Sequence, residues 1–158
     1  MIDFTDEFLN LEPGTITFSP RDLDSPGAGT WTIDIPLAPF SADNEYAPET
    51  FRPGQAGPEL IKTEFRLDYI SFPAEDLSEL SGRTFTFPVN PEEGYIDGSI
   101  YMVATHNPVD ITRIEFGQAT NEEIPATLHA ELILETAEMN DRTAVLEATL
   151  RLRQLATS

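Results

Sequence analysis

Cysteine is absent from this chain, lysine occurs once, at Lys62, and tryptophan once, at Trp31. Without cysteine there is no disulfide, no thiolate metal site and no thiol nucleophile, a pattern that suits a reducing compartment. No run of apolar residues approaches the roughly 20 needed to cross a bilayer as a helix. The N-terminal stretch Met1-Ile2-Asp3-Phe4-Thr5-Asp6-Glu7 carries acid where a secretory signal carries base. The expectation is a cytoplasmic protein with no membrane partner.

Basic residues are the other scarcity. Nine Lys and Arg stand against 28 Asp and Glu, for a formal net charge of −19. Up to residue 60 there are 11 acids and two bases, and beyond it 17 and seven, so the surplus belongs to the whole chain and not to a tail. Nucleic-acid affinity rests on Lys and Arg neutralising phosphates, so nucleic acid is not an expected partner. Three readings of the charge remain: solubility, adaptation to a salt-rich cytoplasm, and steering toward a basic protein partner.

What is abundant is alternation. Ile61, Thr63, Phe65, Leu67 and Tyr69 interleave with Lys62, Glu64, Arg66 and Asp68, the period of two that a half-buried strand requires. Residues 15 to 18 and 31 to 35 repeat it briefly, with Pro36 closing the second. Further strands are expected at 83 to 87, 95 to 105, 109 to 117, 124 to 134 and 142 to 155. The last is rich in helix formers, but Ala144, Leu146, Ala148, Leu150 and Leu152 alternate strictly. Helix is expected only at residues 3 to 11, capped by Thr5, and as one turn within 73 to 80, closed by Gly82.

Two hairpin registers can be argued. If His106-Asn107-Pro108 is the turn between 95–105 and 109–117, Gly98 faces Phe116 and Tyr101 faces Arg113. In the last hairpin, setting Leu132 on Ala144 and Ala130 on Leu146 places large against small and avoids Glu131 facing Glu147. That register puts His129 opposite Glu147. The implied architecture is one all-β domain over 1–158, an antiparallel sandwich or partly closed barrel whose C-terminal half is a meander. A long loop at about 36–60 interrupts it, with prolines at 36, 39, 48, 53 and 58.

Chemistry is thinly signposted. There is no Gly-x-Ser-x-Gly, phosphate-cradling glycine loop, His-Glu-x-x-His or dinucleotide fingerprint. The catalytic candidates are His129, Glu131 and Glu147, a histidine with carboxylates in reach. No fourth ligand accompanies them, so no metal and no cofactor is expected. Asp22-Leu23-Asp24-Ser25-Pro26-Gly27 has an acidic calcium-loop flavour, but Pro26 stands at its fifth position and Ile33 at its twelfth, where a glutamate is needed. For binding, the loop residues Phe40, Tyr46, Phe51 and Arg52 are candidates, as are Tyr101 and Arg113. Tyr95, Tyr101, Val103 and Ile111 make one face of the 95–117 hairpin apolar; Ile96, Ile100, Met102, Ile114 and Phe116 make the other so. The leading expectation is a non-catalytic module that binds another protein, in the manner of an immunity protein, inhibitor or assembly subunit. Against it stand a small-molecule-binding barrel or His/carboxylate enzyme, and a homo-oligomer.

Overall fold

The computed structural model describes residues 9–21, 27–41, 60–102, 105–135 and 140–153. Ten strands and one helical turn follow in order: β1 (Gly14–Phe18), β2 (Trp31–Pro36), β3 (Phe40–Ser41), β4 (Leu60–Ile61), β5 (Glu64–Ile70), α1 (Leu77–Leu80), β6 (Thr84–Thr86), β7 (Asp97–Met102), β8 (Thr105–Phe116), β9 (Glu123–Leu132) and β10 (Arg142–Arg153). Among the described residues no helix is long and apolar enough to cross a membrane.

The all-β expectation holds, but the sheet is neither a sandwich nor partly open. Strands β1, β2, β5, β7, β8, β9 and β10 pair in that order, and β10 returns to β1, which closes a seven-stranded barrel. Six of the joints are antiparallel and the seventh, β1 to β10, is parallel. Parity requires this, because a ring with an odd number of strands cannot alternate direction at every joint. Inward positions form a continuous apolar core that includes Ile16, Ile33, Ile35, Phe65, Leu67, Ile100, Leu128 and Leu146. Each fully buried aliphatic side chain of this kind contributes about 1.5–3 kcal/mol.

Two bulges reset the alternation. Tyr69 takes a left-handed backbone (φ 59°), so its ring turns outward and Ile70 takes the inward place. The β2–β5 register shifts at the same level. In β8 the register against β9 shifts between Ile111 and Arg113, so Thr112 and Arg113 are both exposed while Ile111 and Ile114 are both buried. Odd positions face inward before this bulge and even ones after it.

Where β1, β5 and β8 end and β2 begins, the barrel is plugged by aromatic rings. Phe72 packs on Trp31, Phe85, Phe87 and Phe116, with ring centroids 4.8–6.4 Å apart. The buried Trp31 indole donates to the Ala74 carbonyl at 3.0 Å. The helical turn expected within 73–80 is α1, capped by the Asp76 carboxylate, with Leu77 and Leu80 buried and Gly82 in the left-handed region (φ 71°). The other expected helix falls mostly on residues 3–8, outside the described residues; Leu11 is extended and bridges Leu37. At the opposite end, β3 and β4 pair where the proline-rich segment leaves and rejoins the wall.

Both hairpin registers differ from expectation. β7 and β8 pair Tyr101 with His106 and Ser99 with Pro108, so His106, Asn107 and Pro108 are strand residues and Tyr101 does not face Arg113. Pro108 brings no donor, but its carbonyl accepts from the Ile133 N–H at 2.9 Å. Asn107 is buried, and its amide donates to the Ile100 carbonyl at 3.2 Å. Gly98 meets Leu67 on β5, not Phe116. In the last hairpin Leu128 faces Leu146 and Ala130 faces Ala144, like against like. Inside a closed barrel each layer is filled from the opposite wall as well, so hairpin mates need not complement each other. Asp141 helps set this register by accepting from the Leu134 N–H at 2.8 Å across the two strand ends.

Candidate functional site

Two groups of chemistry-bearing side chains lie on the outer wall. The first spans β8 and β9. Beyond the Thr112 bulge, Arg113 stands directly across from His129, and Glu115 across from Thr127. His129 Nε2 lies 3.0 Å from Glu115 Oε2, and Arg113 donates to Glu115 Oε1 at 2.8 Å. The hydrogen bond from His129, with Arg113 alongside, holds the Glu115 carboxyl below the usual glutamate range. Glu115 therefore keeps its charge and orients the imidazole, a second carboxylate-facing contact being the arginine.

This assembly overlaps the expected His129, Glu131 and Glu147 set only in part. His129 is there, but it faces Val145 on β10, and Glu147 faces Thr127. Glu131 lies exposed opposite Asp110 and Thr143. A groove of about 520 Å³ runs beside the row Glu115, Thr127 and Glu147. The partner the sequence missed, Glu115, is out of reach of pattern reasoning because the bulge that aligns it with His129 has no marker such as glycine or proline.

The second group lies at the end where β3 and β4 pair. Thr63 ties three segments together: its carbonyl accepts from the Leu37 N–H at 3.0 Å, and its hydroxyl donates to the Tyr101 carbonyl at 2.6 Å. Tyr101, half exposed at 50%, meets the His106 ring edge-on at 4.9 Å. Around them is a cleft of about 400 Å³ whose walls include Lys62, Glu64, Arg66 and Ser99. Arg66 is held by two carboxylates, donating from Nε to Asp68 at 3.1 Å and from Nη1 to Asp34 at 3.4 Å. Burial pushes the Asp34 and Glu64 carboxyls up, the first against the pull of Arg66 and the second with the help of Asp34. Lys62 makes no ion pair with any described residue.

Of the expected binding residues, Tyr101 is thus in the cleft and Arg113 is in the other group. Tyr46, Phe51 and Arg52 lie outside the described residues, and for Phe40 only the strand placement is described. So do residues 22–26 of the acidic turn. Among the described residues no three His, Asp or Glu side chains gather as a metal site would require. No family model, curated protein or solved structure matches the chain.

Proposed function

We propose that the protein is a non-catalytic acidic β-barrel module that binds another protein, using the wall beside Tyr101 together with the proline-rich segment at 36–60. The observation that carries this reading is the Thr63 junction. It ties Leu37, near the start of that segment, to the backbone of a half-exposed tyrosine, the kind of rigid aromatic anchor on which binding energy concentrates. The surplus of 19 negative charges favours a basic partner and raises encounter rates with it. The test is capture by the immobilised protein at low and moderate salt, followed by titration of the identified partner. Association should slow as salt rises, and a Phe40, Tyr46 and Phe51 triple alanine variant, or Tyr101→Ala alone, should weaken it at least tenfold. Affinity unchanged in both variants removes this surface from the reading, and a partner that is acidic removes the steering.

A second reading, a small-molecule binder or a His/carboxylate enzyme, has its own support in the cleft at Tyr101 and in the His129–Glu115 hydrogen bond. A homo-oligomer is the third, and light scattering at two concentrations tests it.

A further inference from the structure

The geometry points to the cleft at Tyr101 as a binding site for a small, planar monocarboxylate, of the benzoate type, held by Lys62 and stacked on the Tyr101 ring. The volume, about 400 Å³, falls in the range of small-molecule sites. Its lining carries two bases against one acid, where the chain as a whole carries nine against 28. Two of nine Lys and Arg residues, including the one lysine, and one of two histidines gather at a single place on a chain of net charge −19.

Each wall has a distinct use. The Lys62 ammonium is exposed, and no ion pair to a described residue occupies it. Arg66 spends Nε on Asp68 and Nη1 on Asp34, which leaves Nη2 as a further donor toward an anion. Tyr101 is fixed at its backbone by Thr63 and braced at its ring by His106, so its exposed face is presented without much loss of rotamer freedom. A flat, unsaturated body suits that face, while the cations select an acid over its neutral amide. The charge is limited to one because Glu64 is in the lining and Asp34 and Asp68 stand behind Arg66, so a dianion meets repulsion that a monoanion largely escapes.

The experiment is an NMR titration of the whole chain with benzoate, benzamide and inorganic phosphate at constant pH, following the aromatic resonances of Tyr101 and His106. Benzoate should shift them saturably in the millimolar range or tighter, with benzamide and phosphate each at least tenfold weaker. Lys62→Gln should weaken benzoate about tenfold and Lys62→Arg should restore most of it; Tyr101→Ala should weaken it comparably. Both positions are exposed, and the fluorescence of the buried Trp31 verifies that each of the three variants is folded. The proposal is overturned by the absence of a saturable benzoate shift, by equal binding in Lys62→Gln, or by equal affinity for benzoate and benzamide. Phosphate binding as tightly as benzoate also overturns it, since the ring would then contribute nothing. None of these outcomes touches the protein-partner reading, which is tested through a different ligand.

Discussion

At the scale of single residues, two positions make the sharpest tests. A Cβ built on Gly98 overlaps the carbonyl oxygen of Val109 and lies 3.0 Å from Leu67 Cδ2. Neither neighbour can retreat, because one is backbone and the other is core. Gly98→Ala should therefore cost about 1–3 kcal/mol, read as a lower midpoint in urea at unchanged slope. The second position is Glu115. Its folded carboxyl titrates below the ordinary value of 4.5 because His129 and Arg113 favour the anion. For an acid whose pKa falls on folding, the stabilisation is fully present above the unfolded value and is lost as pH drops through the folded one. Glu115→Gln should thus be less stable than the parent near about pH 6, and the gap should narrow as the pH falls below 4.5 and through the folded pKa, where the parent carboxyl takes up its proton. A gap independent of pH would mean that Glu115 contributes through packing alone.

At the scale of elements, the aromatic plug is the part most open to mutation. Phe72 touches four other rings that come from β2, β6, the segment after it and β8, so it joins β2 to the β6–β8 pair, with which β2 shares no ladder. Phe72→Ala should cost about 3–5 kcal/mol by guanidinium denaturation, and the near-UV dichroism of Trp31 should weaken even in the folded variant. The strands themselves were largely legible. Alternation around Phe65, Leu128 and Leu146 placed β5, β9 and β10, and it outweighed the helix-forming composition of the last strand. Pairing was not legible. Nothing about Tyr69 or Thr112 marks a bulge, and Asn107-Pro108 reads as a turn although it lies in mid-strand. The β8 bulge brought the Glu115 carboxylate within reach of His129, and a last-hairpin register two residues from the expected one left Glu147 opposite Thr127. The candidate site was therefore readable in its residue types and not in its partnerships. Lys62 is the exception, since a lone lysine in an acidic chain is conspicuous without any structure.

At the scale of the whole molecule, charge opposes closure. With 28 acids and nine bases on a compact body, screening should help the fold, so the melting temperature should rise between about 0.05 and 1 M sodium chloride, where the screening length falls to about 3 Å. Solubility as the purpose of the charge requires that the barrel persist at the low end of that range. Circular dichroism showing strand content lost on desalting would instead assign the charge to a salt-rich cytoplasm.

The parallel joint between β1 and β10 has a temporal side. The ring's first strand finds its second neighbour only in its last, more than a hundred residues later, so β10 must leave the ribosome before the two raw edges, on β1 and β9, can be sealed. Such distant pairing is slow. A nascent protein of this design spends its early life as an open curl whose strongest protection against sticking to its siblings is the mutual repulsion of its own side chains.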